Sequence, residues 1–194
     1  MKLAELSRIN KFYFGYEDVA KALGISLASA RVTASRYVEQ GLLVRLKRNM
    51  YVLRGKWNTA GREEKFLLAN LRQVPSYISL ATALDYYEIT TQVQRDFIES
   101  VAVRRTQEIR LNGTIFRYTR VSSNLYFGFN RHKGFFMATP EKALVDSVYL
   151  MSFGRYDLDL SSIDVKKIKR DEVRKISRTF PLKTKKLLKK NGYL

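Results

Sequence analysis

One helical segment of the sequence combines arginine with small side chains on a single face. Between Ser26 and Gln40, helical spacing places on that face Ala28, Ser29, Val32, Ser35 and Arg36, with Arg31 on its flank. The segment has no acidic residue before Glu39, whereas a solvated helix face usually mixes glutamate with lysine. Arginine can donate to guanine edges or phosphates, and small apolar side chains can meet a thymine methyl group. The face therefore predicts a helix that enters the major groove of DNA.

This segment is the second half of a predicted helix-turn-helix. Val19, Ala22 and Leu23 have helical spacing, and Gly24 is suited to ending the first helix. Ser26 is suited to capping the second helix by accepting a backbone N–H bond. The apolar stripe that we expect to face the core consists of Leu27, Ala30, Ala34 and Tyr37.

The stretch "EQGLLVRLKRNMYVLRG", from Glu39 to Gly55, alternates apolar and polar residues and predicts a β-hairpin with a basic turn. Helix, turn, helix and then a two-stranded ribbon is the order of a winged helix. A generic helical hairpin packed on a solvated β-hairpin would have the same order. The predicted DNA contacts are Ser26, Ser29, Arg31, Val32, Ser35 and Arg36 in the helix and Lys47, Arg48 and Asn49 in the turn.

The charge balance indicates an anionic partner. The 194 residues include 36 Lys and Arg against 18 Asp and Glu, a formal net charge of +18, and the two ends of the chain are more basic than its middle. Such an imbalance destabilises a compact state through self-repulsion, so a partner of opposite charge is expected. Nucleic acid is the leading candidate, an acidic protein the second and an anionic membrane surface the third.

The composition also bounds the class of protein. Hydrophobic residues make up 45% of the chain, which is enough for a substantial core. There is no cysteine, so disulfides and thiolate metal sites are excluded. No apolar run has the length of a signal peptide or of a membrane span, and we expect a cytoplasmic protein.

The sequence predicts an α+β fold with two domains. Residues 1–55 form the expected winged helix-turn-helix, and residues 56–194 form a larger mixed α/β domain with a basic helical tail. We expect Leu182, Leu187 and Leu188 to anchor this tail. Its lysines form either a solvated amphipathic end or a second basic surface for nucleic acid or a partner: Lys183, Lys185, Lys186, Lys189 and Lys190.

No pattern indicates an active site, a cofactor or a metal site. The single histidine, His132, has no second His or Cys with which to hold zinc. Asp96 and Glu99 could share a magnesium ion, but the Glu-x-Lys pattern of nucleases is missing. Glu141 and Asp146 are expected to diverge along one helix. The glycine-rich phosphate-binding patterns are also absent from the sequence, so a binding protein is predicted rather than an enzyme.

The order of several motifs resembles the AbiEi family, the antitoxins of type IV toxin–antitoxin systems. The winged helix runs into "GLLVRLKRNMYVLRG", and "PSYISLATALDYYEI", "VAVRRT", "LYFGF" and "ATPEKALVDSVYL" follow in the order expected for the family. The resemblance covers residues 1–151 and matches the tail after Tyr156 only loosely.

The resemblance implies that the winged helix binds inverted repeats in its own promoter and represses the operon. It also implies that the C-terminal domain acts as an antitoxin against a nucleotidyltransferase-like toxin, in described systems without a stable complex. The implied partners are double-stranded DNA and this toxin, and no membrane. Two other hypotheses stay open. One is a stand-alone winged-helix regulator with a ligand-sensing C-terminal domain, and the other is an enzyme that the winged helix targets to nucleic acid.

Overall fold

The computed structural model describes residues 2–92 and 95–194, and these divide into two compact units. One unit runs up to Leu68 and the other from Ala69 to Leu194. The first unit continues past residue 55 because Trp57 is buried in a short helix that packs against both strands of the hairpin. The functional division predicted at residue 55 stays a prediction.

The first unit contains the predicted helix-turn-helix and hairpin. Gly24 ends the second helix in the left-handed conformation, with φ 63°, which glycine adopts without strain. The Ser26 side chain accepts a bond from the Ser29 backbone N–H at 3.2 Å and caps the third helix. The elements are α1 Lys2–Ser7, α2 Tyr16–Leu23, α3 Leu27–Glu39, β1 Leu43–Lys47, β2 Met50–Leu53, α4 Arg54–Asn58 and α5 Arg62–Arg72, the last of which ends in the second unit.

The core of the first unit lies between the three helices and one face of the hairpin. Its buried members are Leu6, Phe14, Val19, Ala30, Ala34, Leu43, Tyr51 and Leu53. Phe14 forms an antiparallel β-bridge to the hairpin, because its backbone exchanges N–H···O bonds of 2.9 and 3.0 Å with Tyr51. The prediction that Leu27 faces this core is wrong: its side chain is 57% exposed. Leu27 is the first residue of α3, and the helix meets the core only from Ala30 onward.

The hairpin is buried on both faces, which its alternating sequence did not predict. Val44, Leu46 and Val52 alternate with the hairpin residues that pack in the helical core, so they lie on the opposite face. They are buried as well. Helix α4 packs against both strands. The exposed basic side chains of the hairpin are therefore Arg45, Lys47 and Arg48, toward its turn.

The second unit is built on a six-stranded mixed sheet in the order β5-β6-β4-β3-β8-β7. Strand β4 is parallel to β6 and β3 is parallel to β8, while the other pairs are antiparallel. Asn112 and Gly113 form the two-residue turn between β5 and β6, both with positive φ. The strands are β3 Ser76–Ile78, β4 Phe97–Ala102, β5 Gln107–Leu111, β6 Thr114–Arg120, β7 Phe129–His132 and β8 Phe135–Ala138.

Four helices complete the second unit: α6 Leu80–Tyr86, α7 Pro140–Ser152, α8 Arg170–Ser177 and α9 Leu182–Lys190. Thr139 caps α7 and Pro140 occupies its first position. The tail helix α9 packs on α7 and buries Thr184 and Leu188. Leu182, expected to anchor the tail, is instead 67% exposed, because it is the first residue of α9 and precedes the buried face.

A fully buried ion pair lies inside this unit, between Lys142 and Asp146 on α7. The Tyr77 and Ser79 hydroxyls donate to Asp146 at 2.9 and 2.8 Å, and Lys142 Nζ also donates to the Tyr77 hydroxyl at 2.8 Å. Burial lowers the pKa of Lys142, and the Asp146 carboxylate opposes that shift. Through Tyr77 the pair links α7 to β3, and removing one partner would leave a buried charge without its counter-ion.

The glycine of "LYFGF" belongs to the same cluster. A Cβ on Gly128 would stand 3.0 Å from side-chain carbons of Lys142, and its φ is 73°. Both the close approach and the left-handed backbone therefore require glycine at this position. Two of the motifs that carry the family resemblance, "LYFGF" and "ATPEKALVDSVYL", thus meet in one packed structure.

Candidate nucleic-acid interface

Helix α3 presents the predicted face to solvent. Ser29, Arg31, Val32, Ser35 and Arg36 are all exposed, with Val32 at 58%. Their placement follows from the opposite side of the helix, where Ala30 and Ala34 are buried in the core. An exposed apolar residue flanked by arginines and serines, with no acid until the end of the helix, suits close approach to base edges.

Arg31 is held against an aromatic ring from the neighbouring helix. Its guanidinium carbon lies 5.5 Å from the centroid of the Tyr16 ring, at the start of α2. The Tyr16 hydroxyl accepts a bond of 3.0 Å from the Tyr51 hydroxyl on β2. Burial and the bond to Tyr16 raise the pKa of Tyr51 to about 12, so its hydroxyl stays a donor at neutral pH.

The turn of the hairpin is shorter than predicted. Lys47 is the last residue of β1, and only Arg48 and Asn49 connect the strands. Both basic side chains are exposed, and within the described residues Arg48 makes no side-chain hydrogen bond or ion pair. The tip of the hairpin thus offers cations that can approach a DNA backbone.

Asn49 faces the protein. Its side-chain oxygen accepts a 2.5 Å bond from the Tyr16 backbone N–H, and its side-chain nitrogen donates to Glu17 at 3.3 Å. Its φ of 55° lies in the left-handed region, which asparagine tolerates better than most residues. The side chain predicted to contact DNA therefore ties the turn to the first residues of α2. We call this set of contacts among Asn49, Tyr16, Glu17 and Tyr51 the wing clamp.

The acidic residues at the start of α2 are occupied by bonds inside the unit. Asp18 accepts from the Gly15 backbone N–H at 3.0 Å and from Lys11 at 2.5 Å. Burial opposes ionisation of Asp18, but the bonds from Lys11 and Gly15 outweigh it and lower the pKa of this carboxyl. Glu17 receives the bond from Asn49. Negative charge beside α3 is therefore partly neutralised, which reduces repulsion of an approaching phosphate.

The lysines predicted as a second basic surface lie along α9. Lys183 is 5.3 Å from the Phe153 ring, and Lys185 donates to the Arg178 carbonyl at 2.9 Å. Within the described residues, three of these lysines make no side-chain bond and are exposed, namely Lys186, Lys189 and Lys190. The acids of α8 pair with basic residues of α8 itself, at 2.6 and 2.9 Å. Three adjacent cations of α9 are thus available to a partner.

The other candidate residues have structural partners. His132 ends β7, where its ring accepts from or donates to the Tyr87 hydroxyl at 3.2 Å. Glu99 is buried and accepts from the Tyr156 hydroxyl at 2.7 Å, while Asp96 lies 3.5 Å from the Thr114 hydroxyl.

The carboxylates of α7 are also occupied. Glu141 accepts the Lys169 backbone N–H at 3.2 Å, and Asp146 belongs to the pair with Lys142. Among residues 2–92 and 95–194, no three His, Cys, Asp or Glu side chains are grouped so that they could hold a metal ion. In the same residues, no helix is both long and apolar enough to cross a membrane.

Two features of the interface have no simple pattern in the sequence. The Phe14 bridge to Tyr51 comes from a loop between α1 and α2. A single paired residue produces no alternation of apolar and polar residues by which a strand could be recognised. The contact of the Arg31 guanidinium with the Tyr16 ring joins residues fifteen positions apart on two different helices. Only the position of Tyr16 at the start of a predicted helix, opposite the turn, could have suggested it.

A helix-turn-helix whose second helix exposes a face without an acid before Glu39, followed by a basic hairpin, has the arrangement of a winged helix. Residues 1–54 match the family model of the AbiEi antitoxin transcriptional regulators, which confirms the family resemblance. The RV2827C protein of Mycobacterium tuberculosis, known from a crystal structure, is similar in fold, with a TM-score of 0.61 and 11% identity over 98% of this chain and 75% of that chain. No curated protein matches the chain in sequence. The match over residues 1–54 supports the resemblance to the antitoxin transcriptional regulators, and the architecture is mixed α+β.

The wing clamp can be tested by replacing Asn49. Asn49→Ala removes the acceptor for the Tyr16 N–H and places alanine at a φ of 55°, so we expect the first unit to lose about 1–3 kcal/mol of unfolding free energy. Asn49→Gly is the matched control, since it loses the same bonds without backbone strain, and its loss should be smaller. Urea unfolding measures the loss of stability in both variants, and hydrogen exchange of the Tyr16 amide measures the loss of its bond. Parent-like stability and Tyr16 protection in Asn49→Ala would contradict the clamp.

Proposed function

We propose that this protein is the antitoxin of a type IV toxin–antitoxin system. In this proposal it binds inverted repeats in its own promoter, represses its operon and counteracts a nucleotidyltransferase-like toxin in the cytoplasm. The observation that carries the proposal is the exposed face of α3, which combines Arg31, Val32 and Arg36 without an acid, in a segment that matches the family model. The functional division at residue 55 is part of the same proposal.

Helix α3 supplies the base readout in this proposal. Arg31 and Arg36 project from the exposed side, where a guanidinium can donate two bonds to the O6 and N7 of guanine. Val32 lies between them and presents methyl groups that suit a thymine methyl. Ser29 and Ser35 are short enough to allow close approach and can donate to phosphates. Ser26 acts through the cap, since its side chain already accepts the Ser29 N–H.

The hairpin supplies contacts that are independent of sequence. Arg45, Lys47 and Arg48 are exposed toward its turn, and their charges suit the phosphate backbone or the minor groove. Asn49 serves this role indirectly by fixing the turn relative to α2. The hairpin thus positions the protein, while α3 selects the site.

Inverted repeats suit two copies of the chain, one on each half-site. The +18 net charge adds counterion release to this binding, so its affinity should fall steeply with salt. The proposal assigns antitoxicity to the second unit. In the proposal, the exposed lysines of α9 contact a partner or nucleic acid. The proposal does not require a stable complex with the toxin.

Variants of the two DNA-facing elements separate base readout from phosphate contact. Arg36→Ala should weaken binding to the DNA upstream of the gene by about 1–3 kcal/mol and relax specificity at one position. Lys47→Ala with Arg48→Ala should weaken all duplexes alike and reduce the salt slope by about one unit per lost phosphate contact. Mobility shifts at several salt concentrations, on upstream and scrambled duplexes, measure both effects.

Arg110→Ala, on β5 of the second unit, is the matched control for loss of positive charge far along the chain from α3. It should leave the preference for upstream DNA unchanged. Parent-like binding by both Arg36→Ala and the Lys47/Arg48 double variant would mean that the DNA-binding surface lies elsewhere.

The antitoxin part is tested by co-expression with the product of the neighbouring gene, with growth as the readout. We expect the parent to restore growth of toxin-expressing cells and Arg36→Ala to do so equally, because antitoxicity is assigned to the second unit. Changing Lys186, Lys189 and Lys190 together to Gln tests the α9 surface without removing its buried Thr184 and Leu188. No rescue by the parent would contradict antitoxicity and favour a stand-alone regulator.

A further inference from the structure

Arg31 is the one arginine of the exposed α3 face that the structure supports with an aromatic ring. Its guanidinium carbon lies 5.5 Å from the Tyr16 ring centroid. Within the described residues its side chain makes no hydrogen bond or ion pair, and the residue is exposed. A guanidinium that lies over a ring can keep its N–H donors for another acceptor. The Arg31 guanidinium therefore contacts a ring and still has its N–H donors available for an acceptor.

The supporting ring is itself fixed from two sides. The Tyr16 backbone N–H donates to Asn49, and the Tyr16 hydroxyl accepts from Tyr51 at 3.0 Å. Tyr51 is 1% exposed and belongs to the core of the first unit, and its ring centroid lies 5.6 Å from that of Tyr16. A chain of contacts thus runs from the buried β2 strand through Tyr16 to the guanidinium of Arg31.

We propose that Tyr16 is a positioning residue that holds the Arg31 guanidinium for paired donation to a guanine edge in the major groove. This inference rests on the proposed DNA-binding function and deepens it, because it predicts a guanine in each half-site opposite Arg31. A free arginine side chain must be ordered on binding, whereas one held over a ring is already partly ordered and loses less conformational freedom. Tyr16 itself touches no base.

Arg36 provides an internal comparison. It is exposed on the same face, but the described residues place no aromatic ring under its guanidinium. Its contribution to base readout should therefore be independent of Tyr16. A general disturbance of α3 would affect both arginines, whereas loss of the positioning contact would affect Arg31 alone.

The experiment uses the full chain and mobility shifts on two duplexes, the DNA upstream of the gene and a scrambled sequence of equal composition. Tyr16→Leu should lower the ratio of upstream to scrambled affinity by about two- to tenfold, with the salt slope unchanged. Tyr16→Phe keeps the ring and should lose less. Arg31→Lys keeps the charge but loses the planar fork, so it should lower the ratio while preserving the salt slope.

Combined variants distinguish positioning from independent effects. Tyr16→Leu should add little in the Arg31→Lys background, and it should keep its full effect in the Arg36→Ala background. Thermal unfolding of each variant checks that the first unit remains folded. If Tyr16→Leu does not fold, Tyr16→Met, which also removes the ring, carries the same comparison in both backgrounds.

Three results would overturn the inference. A Tyr16→Leu protein with the parent ratio would show that the Tyr16 ring does not position Arg31. Equal losses in the Arg31→Lys and Arg36→Ala backgrounds would assign Tyr16 a merely structural role. Both of these leave DNA binding intact. Failure of the parent to prefer upstream DNA would instead remove the proposed function, and this inference with it.

Discussion

The bond from the Tyr16 backbone N–H to the Asn49 side chain fixes the hairpin against the helix-turn-helix. Without it, the hairpin would be joined to α2 by the bond of Asn49 to Glu17 and by the contact of Tyr51 with Tyr16. The same contact orders Tyr16, whose ring lies under Arg31 and whose hydroxyl meets Tyr51. One side chain at the tip of the hairpin thus influences the geometry of the basic turn and of the exposed face of α3 together.

The charges around this interface are arranged to favour an anion. The acids at the start of α2 bond to Asn49, Lys11 and the Gly15 backbone, whereas the guanidinium edges of Arg31 and Arg36 have no acceptor among the described residues. A net charge of +18 would repel itself in the isolated protein, and DNA would relieve that repulsion. The three exposed lysines of α9 likewise offer positive charge to an anionic partner on the second unit.

Local patterns predicted much of the architecture. Gly24, the Ser26 cap, the Asn112-Gly113 turn and the start of α7 at Pro140 were all predictable, because each depends on a few neighbouring residues. Helical periodicity failed at the first residues of helices. Leu27 and Leu182 lie before the buried turn of α3 and α9, so their side chains remain in solvent. The family match over residues 1–54 supports the resemblance to regulators, while the individual DNA contacts stay predictions.

Contacts between distant segments could not be predicted. Asn49 is a polar residue in a basic turn, as expected for a DNA contact. Only the position of α2 shows that its side chain faces inward. The pair of Lys142 and Asp146 has the four-residue spacing of an ordinary surface ion pair, and only the surrounding Tyr77 and Ser79 reveal that it is buried. The sequence shows which groups exist, but the fold decides which of them are free to bind.

The central claim is that α3 reads DNA from the major groove at two inverted half-sites. Methylation interference with the full chain on the upstream duplex tests it most directly, because N7-methylguanine blocks the major-groove edge and N3-methyladenine blocks the minor groove. We expect interference from N7-methylguanine at symmetrically placed positions in both half-sites. Binding that is insensitive to N7 methylation throughout the duplex would contradict the claim.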